Sequence, residues 1–328
     1  MIRFGIIGTN WITEELLKAA ESIEDFKLTA VYSRKEETAK EFAEKHGAEF
    51  TFTSIKEMAE SNEIDAVYIA SPNSFHASQA VTLLSHGKHV LCEKPIASNT
   101  KELQEMIEAA KKNNVLLMEA LKSGFLPAFS SIRENLHKIG PIRRYFASYC
   151  QYSSRYDAYK NGMILNAFNP VFSNGSLMDI GIYCIYPMVQ LFGKPESIQA
   201  SAHMLESGVD GEGSILAHYK ELEGMVMYSK ITNSYVPSEI QGENGSILID
   251  KISTPEKVEI RYKDGTVEDI SKPLQQKSMY YEVKEFIELV KSNTFESTVN
   301  SFEKSLLVME ILDAARKQIG LVYPADEK

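Results

Sequence analysis

Cysteine and basic side chains are scarce in this chain, and both shortages limit what it can be. Cys92, Cys150 and Cys184 are the only cysteines in 328 residues, and their spacing is not paired. A disulfide framework or a zinc knuckle is therefore not expected, and a reducing compartment is favoured. The 35 Lys and Arg residues against 45 Asp and Glu residues give a net charge of −10. Because phosphate groups call for a basic face, this balance argues against a nucleic-acid partner or a membrane surface.

The sequence also offers no segment expected to carry it into or across a membrane. The first apolar strand begins at Ile2, which leaves no room for a signal peptide, and no apolar run approaches membrane-spanning length. We therefore expect a cytoplasmic protein. The spacing of His and Cys residues indicates no metal site.

The first part of the chain alternates short apolar runs with amphipathic helical patterns. The expected strands are at residues 2–7, 28–32, 49–51, 66–70, 87–92 and 115–118, with helices between them. This alternation is typical of a doubly wound parallel sheet, so we predict an α/β fold with a dinucleotide-binding domain at residues 1–121.

After about residue 140 the pattern changes to strands joined by turns. Runs at 215–219, 225–228 and 246–250, and a hairpin around Asp264-Gly265, predict a mostly antiparallel open sheet. Two late helices follow, of which the first carries Val283, Phe286, Ile287 and Val290 on one face and the second opens at a cap on Ser301. We assign residues 122–328 to a substrate and oligomerisation domain, whose last helix, about residues 301–320, could pack back on the first domain.

The tripeptide Glu93-Lys94-Pro95 ends an apolar run and precedes a helix that opens near Thr100. Open α/β folds bind ligands at the carboxyl ends of parallel strands, which places Lys94 where a ligand would lie. A partly desolvated ammonium can act as an acid near neutral pH. A loop lysine that extends its charge into solvent is the alternative, and the local sequence fits it equally well.

The turn after the first strand is a degenerate form of the dinucleotide-binding fingerprint. Counting from Gly8, Asn10 replaces the second glycine and Thr13 the third. Asn tolerates positive φ better than other non-glycine residues, so the turn could survive. The backbone amides expected to face a pyrophosphate are those of Thr9, Asn10, Trp11 and Ile12. A tight turn without a ligand is equally compatible with this stretch.

The end of the second strand indicates which dinucleotide is preferred. An acidic residue usually meets a free ribose 2′-hydroxyl there, but this chain has Ser33-Arg34-Lys35. A hydroxyl and two cations suit a 2′-phosphate, and Arg34 can also stack on adenine. We predict preference for NADP(H) over NAD(H), with a solvated charge cluster as the alternative.

Five motifs follow one another along nearly the whole chain, namely Gly5 to Gly8, Ile69 to His76, Glu93-Lys94-Pro95, Glu119-Ala120 and Gly175 to Tyr183. In this order they resemble the glucose-fructose oxidoreductase/inositol dehydrogenase/rhizopine-catabolism (Gfo/Idh/MocA) family, in the branch of glucose-fructose oxidoreductase and dimeric dihydrodiol dehydrogenase.

The resemblance implies a Rossmann domain followed by an α/β domain with an open, mostly antiparallel sheet, and nicotinamide bound beside Lys94. It also implies that the chain forms a homodimer or homotetramer through the face of the second sheet. The residues that would border the cofactor are Ala70, Ser71, Pro72, Asn73 and His76, with Glu93 at the nicotinamide ribose. For His76 a capping role at a helix start is the alternative.

Asp179 and Tyr183 are four residues apart, so on a helix they share one face. An isolated phenol has a pKa of about 10, and a nearby cation such as Lys94 would favour the phenolate. We expect Tyr183 to exchange the proton, Lys94 to polarise the substrate oxygen and Asp179 to hold a neighbouring hydroxyl. Direct proton transfer by Lys94 is a second possibility, and Tyr183 as an ordinary packed aromatic is a third.

The leading interpretation is an NADP(H)-dependent oxidoreductase, a dehydrogenase or reductase acting on CH–OH groups. Its small-molecule substrate would carry a secondary alcohol or carbonyl in a sugar, polyol or cyclic diol. Ser173-Asn174 and Lys122 depart from common family patterns at positions expected to line the pocket, so no single relative's substrate carries over. The rival hypothesis is a non-catalytic protein on the same fold that senses nicotinamide dinucleotides.

Overall fold

The computed structural model describes residues 1–327, which divide into two compact units. The first comprises Met1–Lys122 and Gln276–Phe302, and the second comprises Ser123–Gln275 and the described chain from Glu303 onward. The chain therefore leaves the first unit after Lys122 and returns to it later.

The first unit contains a six-stranded parallel sheet in the order β3-β2-β1-β4-β5-β6. Its strands are β1 Ile2–Ile7, β2 Phe26–Tyr32, β3 Phe50–Phe52, β4 Ala66–Ile69, β5 His89–Glu93 and β6 Leu117–Ala120. The chain reverses its direction of winding between β1 and β4, and open α/β sheets bind ligands in the crevice at such a point.

Five helices connect these strands, namely α1 Trp11–Ala20, α2 Glu36–His46, α3 Ile55–Glu60, α4 His76–Ser85 and α5 Thr100–Asn113. Ser54 caps α3 through its side chain, since its Oγ accepts from the amide of Glu57. Each helix begins near the carboxyl end of the preceding strand, so the helix starts and the loops before them gather at one edge of the sheet.

The second unit holds an eight-stranded sheet in the order β14-β13-β12-β11-β7-β10-β9-β8. All neighbours are antiparallel except β7 and β10. The strands of this sheet are β7 Ile142–Cys150, β8 Ser197–Met204, β9 Asp210–His218, β10 Glu223–Ser229, β11 Ser238–Gly242, β12 Gly245–Ile249, β13 Val258–Tyr262 and β14 Val267–Asp269. The first three helices of the unit are α6 Pro127–Asn135, α7 Ser154–Lys160 and α8 Ile182–Phe192. The predicted fold class, a parallel sheet followed by a mostly antiparallel one, is confirmed.

Burial alternates along the strands of this second sheet. On β9, Ile215 and Ala217 are buried while Leu216 is exposed. The buried face lies against α8, and the Tyr145 hydroxyl donates to the Cys184 carbonyl at 2.8 Å. One face of the sheet is thus covered by helix within its own unit.

Two late helices complete the fold, α9 Tyr280–Lys291 and α10 Phe302–Ile319. The predicted apolar face of α9, with Val283, Phe286, Ile287 and Val290, is buried. This helix belongs to the first unit, and α10 from Glu303 belongs to the second. These assignments differ from a single division at residue 121, and the functional roles given to the two parts of the sequence stay predictions.

The stretch Pro170–Phe192 is long and apolar enough to span a membrane, so the expectation that no such run exists is wrong. It has 23 residues, and 72% of its apolar window is buried inside the protein. Burial of that kind is typical of a core helix in a folded domain.

Candidate active site

The turn between β1 and α1 is shaped by Gly8 and Asn10. Gly8 has φ of 104°, and a Cβ there would lie 2.5 Å from the Ala70 carbonyl oxygen. The side-chain oxygen of Asn10 accepts from the amides of Ile12 and Thr13, and its Nδ2 donates to the Ala70 oxygen at 2.8 Å. Asn10 has φ of −100°, so the expectation of positive φ at this position is wrong. Asn10 instead joins the helix start to the end of β4.

Thr13 shows how a non-glycine residue fits the third position of the motif. It is fully buried, and its Oγ1 donates to the Gly8 carbonyl at 2.7 Å. The amide of Ile12 donates to Asn10 Oδ1 at 3.0 Å, so a phosphate contact from Ile12 would compete with this cap. Thr9 and Trp11 lie on the same turn, and Trp11 is 65% exposed at the first position of α1.

The carboxyl end of β2 presents a hydroxyl and a cation. Ser33 Oγ accepts from the amide of Lys35 at 3.4 Å, and this turn places Arg34 on the surface. Among the described residues, Arg34 makes no ion pair, whereas the nearby Glu36 is paired with Lys40. Arg34 is therefore available to an anionic ligand.

His76 ties together the loops that follow β4 and β5. Its ring is fully buried, with Nε2 2.8 Å from the Ser71 oxygen and Nδ1 3.0 Å from the Pro95 oxygen. Burial lowers the pKa of His76, which favours the neutral ring. Ala70, Pro72 and Asn73 lie on the first of these loops, and Lys94 precedes Pro95 on the second. The ring thus fixes the spacing between the two predicted cofactor-binding loops.

Glu93 and Lys94 stand at the end of buried strand β5, as predicted. Tyr68 donates its hydroxyl to Glu93 Oε1 at 2.5 Å, and the amide of Lys94 donates to Oε2 at 3.3 Å. Lys94 is half-buried. Burial raises the pKa of Glu93, and burial together with the Glu93 charge raises that of Glu282 on α9 well above its usual range. Both effects favour the neutral form of Glu282.

In the second unit, a buried carboxylate fixes the start of the helix that carries Asp179 and Tyr183. This helix opens with a π-helical turn, Leu177–Gly181, and continues as α8. Asp210 Oδ2 accepts from the Leu177 amide at 2.6 Å. Gly175 has φ of 142°, and a Cβ there would lie 2.2 Å from Asp210 Oδ1. Single π-helical turns recur at functional sites.

Asp179 and Tyr183 each have a defined partner within this unit. Asp179 forms an ion pair with Lys230, whose side chain is 5% exposed, against 30% for Asp179. The Tyr183 ring packs edge-on against Tyr149 with a centroid separation of 5.7 Å. Lys230 was not predicted as a site residue. It follows the apolar strand β10 as Lys94 follows β5, and that shared pattern is the signal that could have found it.

The structure therefore gathers the predicted residues into two sets, each within one unit. The first unit holds Lys94 and the predicted cofactor-binding residues at one edge of a parallel sheet. The second unit holds Asp179 and Tyr183, together with Lys230 and Asp210.

Comparison with known proteins identifies the class. The model of an oxidoreductase family with an NAD-binding Rossmann fold matches residues 2–121, and that of the GFO/IDH/MocA C-terminal domain matches residues 135–248. The scyllo-inositol 2-dehydrogenase (NADP(+)) IolU of Bacillus subtilis (strain 168) is 59% identical over 327 residues, which cover 100% of both chains. The trans-1,2-dihydrobenzene-1,2-diol dehydrogenase of Mus musculus is 30% identical over 342 residues, covering 100% of this chain and 99% of the relative.

A solved structure agrees with these relatives. KijD10, a 3-ketoreductase from Actinomadura kijaniata in complex with TDP-benzene and NADP, superposes with a TM-score of 0.83 at 25% identity, covering 97% of this chain and 98% of that one. The fold and the matches define a nicotinamide-dependent oxidoreductase. The chain belongs to the Gfo/Idh/MocA family, which confirms the predicted family and the predicted enzyme class.

Proposed function

We propose that the protein oxidises a secondary hydroxyl of a cyclic polyol of the inositol class with NADP⁺, and reduces the matching ketone with NADPH. The observation that carries this proposal is 59% identity over the full chain to a scyllo-inositol 2-dehydrogenase (NADP(+)). The predicted preference for NADP(H) agrees with the cofactor named for that relative and with the NADP in the ketoreductase complex.

Residues 1–121 act in this proposal as the dinucleotide-binding domain. The turn from Gly8 to Ile12 takes the pyrophosphate, since helix starts and the amides before them favour anions. Ser33 and Arg34 take the 2′-phosphate. The loop 70–73 and Glu93 border the rest of the dinucleotide, with His76 holding the loop from behind. Residues 122–328 supply the substrate side.

The hydride chemistry belongs to the nicotinamide, and the protein positions the substrate and moves its proton. Asp179 accepts a hydrogen bond from a ring hydroxyl next to the reacting carbon. Tyr183 takes the proton of the reacting hydroxyl, and Lys94 stabilises the oxygen as its charge grows. Direct proton transfer by Lys94 is the competing assignment.

The test is a turnover screen with an independent readout of cofactor binding. Trp11 is the single tryptophan of the chain, and it lies 65% exposed on the dinucleotide turn, so its fluorescence should change when NADP⁺ binds. We expect reduction of NADP⁺ with inositol stereoisomers at rates at least ~10-fold above those with aldoses and cyclic diols, the ratio that about 1.4 kcal/mol of transition-state binding gives. Tight binding without turnover on any substrate would favour the sensor hypothesis.

The protein is further proposed to be a cytoplasmic homodimer or homotetramer that associates through its second sheet. Leu216, Met225 and Phe146 are directly opposite one another on β9, β10 and β7, and they form an apolar row across the outer face. Leu216 is 49% exposed within this chain. Covering such a row with a second copy removes apolar surface from water. The three free cysteines fit a reducing compartment.

A further inference from the structure

Lys230 is a buried lysine directly after β10, outside every motif that identifies the family. Its side chain is 5% exposed, and its Nζ donates to Asp179 Oδ2. The same Nζ lies 5.7 Å from the centre of the Phe168 ring, which is itself fully buried. An ammonium enclosed in this way is tolerated in a protein because a carboxylate accompanies it.

The backbone of Lys230 is held as firmly as its side chain. Its amide donates to the Gly211 carbonyl at 2.9 Å, and its carbonyl accepts from the Ser153 amide at 2.9 Å. The position of the Lys230 side chain is therefore fixed relative to the sheet. The Asp179 carboxylate, which bonds to it, is oriented by the same contacts.

We propose that Lys230 is a positioning residue, which keeps Asp179 ionised and directs it toward a hydroxyl of the substrate. The inference rests on the proposed function, because that function assigns Asp179 to the substrate. Lys230 is too buried to touch a substrate, whereas Asp179 is 30% exposed on the helix that carries Tyr183. An ionised carboxylate only accepts hydrogen bonds, whereas a protonated carboxyl also donates one, so fixing its charge fixes how it binds a polyol.

A second carboxyl group makes the cation necessary. Burial raises the pKa of Asp210 to about 6, and the Lys230 charge acts in the opposite direction by favouring the ionised form. If Lys230 were removed, the carboxyl groups of Asp179 and Asp210 would lose the cation that they share, and the pKa of Asp179 would rise. The other titratable groups near this pair include Glu212 on β9, which bonds Ser229, the Tyr183 phenol, and the phenols of Tyr228 and Tyr323, which both interact with the Asp210 charge. None of these can replace a cation.

The test compares Lys230→Gln with Lys230→Arg in the full-length protein. Lys194→Gln is the matched control, because Lys194 pairs with Glu310 at 2.7 Å in the same unit without contacting Asp179. In Lys230→Gln we expect the acidic limb of the pH profile of kcat/KM to move up by about one unit or more. KM for the polyol should rise ~10-fold or more while NADP⁺ binding, read from Trp11, stays unchanged. Lys230→Arg should recover most of the wild-type pH profile and most of the wild-type KM, and Lys194→Gln should change neither of these quantities.

A merely structural lysine would instead lower stability and leave the pH profile of the folded enzyme in place, and that result would overturn the proposal. If Lys230→Gln does not fold, Lys230→Met, which keeps the stem of the side chain, carries the same test. The carboxyl pKa of Asp179, followed by ¹³C NMR and assigned through Asp179→Asn, gives a readout that needs no substrate. An unchanged Asp179 pKa in Lys230→Gln refutes the positioning role even if the wild type turns over no polyol. Absence of turnover alone refutes the proposed function instead.

Discussion

At the scale of single residues, the cationic side chains that follow the ends of strands give the main indications of function. Arg34 follows β2, Lys94 follows β5 and Lys230 follows β10. Arg34 has no ion-pair partner in the described chain, while Lys230 is buried against Asp179. The surface cation is suited to an anionic ligand, and the buried one to organising a side chain of the protein.

Arg34→Asp should reverse or abolish the preference for NADP(H). Loss of a charge-assisted hydrogen bond to the 2′-phosphate and introduction of a negative charge should lower the NADPH to NADH affinity ratio by ~10- to 100-fold, the equivalent of about 1.5–3 kcal/mol. Titration of Trp11 fluorescence with each cofactor measures this ratio. Lys18→Asp, with the same charge change in the last turn of α1, should leave the ratio as it was. A ratio unchanged in Arg34→Asp would refute the 2′-phosphate assignment.

Tyr183→Phe should separate the two candidate proton carriers. If Tyr183 exchanges the proton, kcat falls ~10²- to 10⁴-fold while the Kd for NADP⁺ is unaffected. Tyr149→Phe is the control, since Tyr149 packs edge-on against Tyr183 and its own hydroxyl bonds Gln151. Steady-state rates with the best polyol provide the measurement. Wild-type turnover by Tyr183→Phe would leave Lys94 as the acid.

The sequence predicted the residues of local motifs but not their long-range partners. Lys94 lies at the end of a buried strand as expected, because strand and loop signals are local. The turn survives its missing glycine because Asn10 caps α1 and bonds Ala70, a contact across 60 positions. Lys230 and Asp179 are 51 positions apart, and no local pattern links them.

At the scale of elements, the helix carrying Asp179 and Tyr183 depends on an unusual start. Asp210 accepts from the Leu177 amide, and only a glycine fits at position 175 beside that carboxylate. Further along, Pro187 has no amide hydrogen to donate to the carbonyl of Tyr183. A tertiary contact therefore fixes the start of this helix, and one of its own backbone hydrogen bonds is missing.

Asp210→Asn should change how stability depends on pH. Burial raises the pKa of Asp210 from 3.8 to about 6, so the native state binds the proton more tightly than the unfolded chain. The Asp210 contribution to stability is then fully present below pH 4 and is lost as the pH rises to about 6. Between pH 4 and pH 7 the variant should gain about 2–3 kcal/mol relative to the wild type, as measured by urea unfolding. A pH-independent difference between the two proteins would contradict this.

Element boundaries were predicted well where propensity and burial agree. Helix α5 opens at Thr100, where the sequence placed it, but β9 begins at Asp210, five residues before the predicted run at Ile215. The segment Asp-Gly-Glu-Gly-Ser has low strand propensity, and pairing with β8 and β10 overrides it.

At the scale of the whole molecule, the return of the chain to its first unit was not predictable from local signals. The prediction that α9 is amphipathic was correct, but an amphipathic pattern does not indicate whether the helix packs on the core of the first unit or of the second. The Phe286 ring lies 5.7 Å from Phe4 of β1, and Lys291 pairs with Asp25. These contacts join segments more than 260 residues apart in the sequence.

Leu216→Glu should weaken the proposed association through the second sheet. A charge in the apolar row would be desolvated in an interface without a partner, so the variant should shift to monomers in light scattering at matched concentration. Val267→Glu, at a 60% exposed site on edge strand β14, serves as the control and should keep the wild-type mass. An unchanged oligomer in Leu216→Glu would place the interface elsewhere.

The central claim is that hydride passes directly between a ring carbon of a polyol and NADP⁺. The most direct test uses scyllo-inositol deuterated at its ring carbons and mass spectrometry of the NADPH produced. We predict that each NADPH carries one deuterium from the ring, and that the rate of the isolated chemical step shows a primary isotope effect. NADPH that lacks deuterium, or NADP⁺ that binds without being reduced by any inositol, would contradict it.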